Sequence, residues 1–204
     1  MRILKIVLII SVSFFSLRYT NAQSGSIGVA IPVMTKNDIF NIKNTDGGPG
    51  YSGNGFYEFG LYYIYSTCSC SSYETGLEYS VHSLTVTSAP NGQEVISSQK
   101  SLSLLSIPAS IKLNFLKYFF IGGGILLDMD LSLSSGLSNQ TGIGASCGFG
   151  MKYDFKSGFS INANPYFKSH SWFSFSSNSN NQRLNESGIK IGLSYKLNNK
   201  KMTD

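Results

Sequence analysis

After its first two dozen residues the chain has no apolar run long enough to cross a bilayer as a helix, a span that takes about 20 residues. It has no basic run either, which leaves no electrostatic footprint for nucleic acid. Histidine occurs twice and cysteine three times. Cys68-Ser69-Cys70 lies in a short predicted turn. A metal site wants more ligands at wider spacing, and a bridge between cysteines so close would be strained. Cys147 falls on an apolar strand face, where a thiol behaves as a small hydrophobe. His82 and His170 fall near the ends of predicted strands. Serine is so common here that a neighbouring hydroxyl does not make a nucleophile–base pair. No metal, cofactor or catalytic residue is assigned.

What is present begins with a secretory signal over 1–22. Arg2 and Lys5 precede a run of about 12 mostly apolar residues, and Thr20-Asn21-Ala22 offers a small residue for cleavage. The expected mature domain is 23–204. Loss of Arg2, Lys5 and Arg18 takes the formal charge from +5 to +2.

The mature chain reads as alternating strands. In 141–155 the odd positions include Ile143, Ala145, Cys147, Phe149, Met151, Tyr153 and Phe155. The even ones include Gly142, Gly144, Gly148, Gly150, Lys152 and Asp154. Successive strand residues point to opposite faces, so one face is apolar and the other small or charged. The same rhythm gives strands over 26–34, 55–66, 72–85, 102–115, 118–133, 159–173 and 188–197. Phe56, Tyr62, Ile64, Phe120 and Leu126 break it by falling on the polar face. Pro32 and Pro108 each remove a ladder donor inside a strand.

Connections alternate in length. Segments 67–71, 116–117 and 156–158 are short, whereas 35–54, 86–101, 134–140 and 174–187 are long and polar. Bacterial barrels pair short periplasmic turns with long outer loops. In lipid every backbone polar group must be satisfied within the protein, so a spanning sheet has to close. The pattern predicts an all-β fold, an eight-stranded antiparallel up-and-down transmembrane β-barrel, with both termini in the periplasm. Aromatics fall at the strand ends, Tyr63, Phe119, Tyr153, Phe159 and Tyr195 towards one interface and Tyr57, Trp172 and Phe173 towards the other.

The face opposite the apolar one carries Glu58, Glu74, Glu78, Asp128, Asp130 and Asp154 against Lys112, Lys152, Lys168, Lys190 and Lys196. Eight strands enclose a space that side chains just fill, and buried charges must be paired. These residues are expected to form a closed, salt-bridged plug. The inner glycines should admit large neighbours such as Tyr62, Phe120 and Tyr166.

Several short stretches carry a resemblance: Tyr57-Glu58-Phe59-Gly60, Glu74-Thr75-Gly76-Leu77-Glu78-Tyr79, Ile107-Pro108, Gly122-Gly123-Gly124, Gly148-Phe149-Gly150-Met151-Lys152-Tyr153 and Gly192-Leu193-Ser194-Tyr195. On these the chain resembles the small OmpA/OmpX-type outer-membrane barrels, and more closely the PorT-like outer-membrane barrel-domain family. It departs at its end, where Asn198 to Asp204 follow the last aromatic strand. The resemblance implies outer-membrane residence and permits service in a secretion machine. The expected function is a non-enzymatic structural or binding barrel, with outer-membrane lipid and other envelope proteins as partners, the latter through the outer loops. The alternatives are a rim enzyme acting on lipid and a secreted soluble barrel with an apolar ligand inside.

Overall fold

The computed structural model describes residues 24–41, 49–88, 96–132, 137–175 and 182–197. The predicted signal over 1–22 lies outside them. The described strands are β1 (Ser24–Asn41), β2 (Gly50–Ser66), β3 (Ser71–Thr87), β4 (Ser97–Phe115), β5 (Phe119–Asp130), β6 (Gly142–Asp154), β7 (Phe159–Ser174) and β8 (Gln182–Lys196). Each pairs antiparallel with the next, and β8 returns to β1 to close the barrel. Closure gives every strand two neighbours and leaves no sheet edge.

The facing follows the predicted alternation. Along β2, Tyr57, Phe59, Leu61 and Tyr63 are exposed while Phe56, Glu58, Gly60 and Tyr62 are buried. On β6, Phe149, Met151 and Tyr153 lie outside, as does Cys147. At the end carrying the short turns, aromatics touch from strand to strand. The ring centroids of Phe159 and Tyr195 are 4.9 Å apart, those of Phe115 and Phe119 6.1 Å, and those of Tyr118 and Tyr153 6.1 Å.

Several strands run farther than their pattern predicts. β1 continues past Met34 to Asn41 because a bulge between Val33 and Lys36 shifts the phase. Met34 sits there at φ 52°. A second bulge, between Gly53 and Phe56, uses Gly55 at φ 92°, a conformation natural to glycine. Beyond a bulge the same strand presents the opposite parity, so a period-2 reading stops there. β5 ends sooner than predicted. Asp130 accepts from the backbone N–H groups of Ser132 and Gln140 and turns the chain out of the sheet. Pro108 stays inside β4. The β3–β4 ladder skips from Thr75–Ala109 to Glu78–Ser106 around it, while the register holds.

The side-chain pattern inverts towards the long-loop end. There Ile39, Leu84, Leu102, Leu104 and Leu184 pack together inside the barrel, with Tyr51 and Leu137 against them. Lys36, Asp38, Ser83 and Ser101 face out. A membrane span needs strands of about 9–11 residues. β1 to β4 have 17 to 19. The surplus forms a collar whose inside holds this leucine-rich cluster together with Asn37 and Gln140, and whose outside carries Lys36, Asp38, Ser83 and Ser101 beside an exposed Phe40.

The large inner side chains sit over glycines. A Cβ at Gly60 would overlap the Tyr62 ring. One at Gly150 would lie 2.5 Å from the Ala163 carbonyl oxygen and 2.6 Å from Phe120 Cζ. At outward Gly123 the nearest neighbour would be the Ser146 carbonyl oxygen at 3.4 Å. Gly150→Ala should therefore cost roughly 1–3 kcal/mol by overpacking, and Gly123→Ala less than about 0.5 kcal/mol. Urea unfolding of the refolded barrel, followed by the fluorescence of Trp172, measures both. Equal midpoints would mean that the lumen is slack.

Candidate functional site

The densest chemistry lies inside the barrel, just below the apolar cluster. Glu58 of β2, Glu78 of β3, Lys168 of β7 and Glu186 and Lys190 of β8 all occupy inward positions. The β7–β8 register sets Lys168 opposite Glu186, and the β2–β3 register sets Glu58 opposite Ser80. Ordinary pairing thus delivers the charges to one level from both walls.

Lys168 Nζ donates to Glu58, lies 2.7 Å from Glu78 Oε2 and 2.8 Å from Glu186 Oε1. Lys190 Nζ lies 2.9 Å from Glu58 Oε1 and 2.7 Å from Glu78 Oε1, and donates to the Tyr62 hydroxyl at 2.8 Å. That hydroxyl in turn donates to Glu78. The Tyr166 ring lies beneath both cations, its centroid 5.2 Å from Lys168 Nζ and 4.9 Å from Lys190 Nζ. Cation–π contact of this kind strengthens when water is excluded.

A second tier joins through Glu186. His170 Nδ1 is 3.1 Å from Asp128 Oδ2, and its Nε2 is 3.5 Å from Glu186 Oε2. His82 Nε2 is 3.4 Å from the same oxygen. Ser106 donates to Asp128 at 2.6 Å, and Phe56 stacks on His82 at 4.8 Å. A bulge at Ser171, at φ 54°, lets Ser169, His170 and Ser171 all lie buried before Trp172 and Phe173 turn outward. Four carboxylates thus meet two ammonium groups and two imidazoles. Full charge balance is reached when both imidazoles carry a second proton.

The predicted lumen residues divide accordingly. Glu58, Glu78, Asp128, Lys168 and Lys190 come together. Glu74 and Lys112 form a separate pair nearer the short-turn end. Asp130 bonds to loop backbone instead. Asp154 and Lys196 do not belong to a buried network. Asp154 is 60% exposed at the mouth, 3.6 Å from Lys152, and Lys196 is exposed at the last position of β8. Both sit where the strands end, so water solvates them. His82 and His170 are not rim residues, because the strands continue past them. Glu186 went unassigned because it lies in the predicted loop 174–187. Its signal was available: Leu184, Glu186, Gly188 and Lys190 share one parity. Cys68 and Cys70 are disulfide-bonded in the exposed β2–β3 turn.

A hydrolytic relay needs one imidazole nitrogen for the nucleophile and the other for the orienting acid. Here Ser80 Oγ, at 3.0 Å, and Glu186 both meet Nε2 of His82. Among the described residues no group of three or more His, Cys, Asp or Glu side chains is arranged to hold a metal ion.

Comparison with solved structures agrees with this architecture. The outer membrane protein AlkL, determined in lipid bilayers, is similar with a TM-score of 0.53 and 10% identity, covering 91% of this chain and 95% of that one. OprG from Pseudomonas aeruginosa gives 0.44 at 15% identity, covering 86% and 94%. Ail, the attachment invasion locus protein of Yersinia pestis, gives 0.39 at 14%, covering 86% and 97%. No protein-family model matches the chain, and no curated protein matches it by sequence. The fold is an eight-stranded antiparallel up-and-down transmembrane β-barrel. AlkL, an outer membrane protein, shares that fold.

Lys168 is the cation shared by three buried carboxylates. Lys168→Met should cost ~3–5 kcal/mol, the usual penalty for stripping a buried charge of its partner. Lys196→Met, at an exposed site, should change stability by less than about 0.5 kcal/mol. Denaturant midpoints in one detergent compare the two. A neutral Lys168→Met would show that the network carries no net attraction.

Proposed function

We propose that the protein resides in the bacterial outer membrane as an integral barrel with a closed lumen, and serves a structural or binding role without catalysis. The observation that carries this reading is the double stopper at the long-loop end. The ion-paired tier of Lys168, Lys190, Glu58 and Glu78 lies beneath the apolar cluster of Leu84, Leu102, Leu104 and Leu184. A solute path would have to break both. The space between the Glu74–Lys112 pair and the network is about 60 Å³, enough for a few waters.

The apolar exterior supports lipid as the surrounding medium. Ile27, Ile31, Phe59, Ile111, Ile121, Ile125 and Phe149 are each about half exposed or more, a surface that water would not leave bare. A secreted soluble barrel would need the opposite facing. The short turns and both chain ends belong on the periplasmic side in this reading, and the long loops meet other envelope proteins outside. The buried, enclosed position of His82 and His170 favours a non-enzymatic role over a rim enzyme.

The mature chain should fractionate with outer membrane, resist carbonate extraction and migrate differently on gels before and after heating. In planar bilayers it should show no large steady conductance. Cys147 in intact membranes should resist an aqueous maleimide. Phe149→Arg should cost about 2–4 kcal/mol near the midplane, whereas Phe149→Leu should be mild. Release by carbonate would remove the membrane reading, and a persistent open channel would remove the closed lumen.

A further inference from the structure

Below the stopper the barrel is hollow. A cavity of about 460 Å³ lies at the short-turn end, lined from Lys156, Ser157 and Gly158 to Phe120 and Lys112. Its wall is polar in an unusual way for a protein interior. It carries six serines and two asparagines but a single carboxylate, Asp154. Four lysines face the same space: Lys112, Lys152, Lys156 and Lys196.

Two of these cations are engaged. Lys112 donates to Glu74, behind the wall, and Lys152 approaches Asp154 only to 3.6 Å. Lys156 and Lys196 meet no carboxylate among the described residues. Counting Glu74 and Asp154 against the four lysines leaves two positive charges in surplus. The barrel wall is a low-dielectric jacket, and such a cleft focuses the field of its charges. The neutral groups around the lysines are hydroxyls and amides, which can donate to oxyanions.

We propose that this vestibule is a binding site for a small multivalent oxyanion, phosphorylated or polycarboxylic, entering from the open mouth. Lys152 and Lys196 supply the paired charge, and the Asn114 and Asn162 amides with the hydroxyls of Ser160 and Ser194 supply directed hydrogen bonds. The volume falls within the range of ordinary small-molecule sites, about 300–1,000 Å³. The closed stopper above makes the vestibule a blind pocket rather than a channel. The proposal takes from the preceding section only the side on which the mouth opens, the periplasm. Binding in detergent is independent of that side, so the two readings fail separately.

The test is calorimetric titration of the refolded mature protein in a zwitterionic detergent, with inorganic pyrophosphate in one arm and citrate in the other. Saturable binding is expected at low ionic strength in at least one arm, and the arms show whether phosphate or carboxylate oxygens are preferred. It should weaken strongly in ~1 M salt, where the screening length falls to about 3 Å. The double variant Lys152→Gln/Lys196→Gln should lose about tenfold or more in affinity, ~1.4 kcal/mol. Lys100→Gln, at the opposite end on β4, should bind as wild type does. A second measurement needs no variant: the bound anion should protect Lys152 and Lys196, and not Lys100, from an amine-acylating reagent. Absence of saturable binding in both arms would overturn the proposal. So would equal loss in the Lys100→Gln control, or acylation of Lys152 and Lys196 at the unprotected rate.

Discussion

Backbone hydrogen bonding in lipid governs this molecule. A sheet surrounded by hydrocarbon has no water to satisfy an open edge, so β8 must return to β1, and their pairing from Ser26–Lys196 to Asn41–Gln182 does so. Closure at eight strands then fixes the bore to a width that side chains fill. Above the vestibule, the inner positions must consequently match their neighbours in volume and in charge. The rest of the structure answers those two demands.

Volume is met by setting large rings over missing side chains. Phe120 lies over Gly150 and Tyr62 over Gly60. The aromatic residues that break the apolar–polar alternation in β2 and β5 are thus not errors of facing. They are the filling, and glycines on the same or the neighbouring strand are their sockets. Charge is met by sharing. Lys168 serves three carboxylates and Lys190 two. The histidines extend the same network towards Asp128. Glu58 and Glu78 each lean on both lysines, so removing one shared member weakens several groups at once.

The barrel also changes medium along its axis. Within the lipid-facing belt the outside is apolar and the inside polar. At the long-loop end Leu84, Leu102 and Leu184 turn inward while Lys36, Asp38 and Ser83 face out. Some strands keep strict parity through this change. In β3, Glu78, Ser80, His82 and Leu84 are all inward, and only the residue types invert. In β1 the bulge at Met34 resets the parity as well. The change from polar to apolar lining places a layer of packed leucines between the ionic tier and the outer loops. The opposite end has no such layer, and there the lumen opens into the lysine-bearing vestibule.

Period-2 alternation by itself determined the strand count, the facing of each strand and the short–long order of the connections, because side-chain direction in a strand is a local property. It also placed Glu58, Glu78, Asp128, Lys168 and Lys190 in the lumen. It stopped at Met34 and Gly55, because a bulge moves one residue and reverses everything after it. It left Glu186 outside the site, because the length of a strand beyond the membrane is decided by what it packs against, and it left out His82 and His170, because their acidic partners come from other strands. The pairing partners came only from the closed structure. Lys168 and Glu58 are 110 residues apart in sequence; they meet because the barrel brings β7 across from β2. No local pattern encodes which carboxylate faces which ammonium across a lumen. That depends on register, bulges and closure acting together, which is why Asp154 and Lys196 share the parity of the buried charges yet stand at the open mouth.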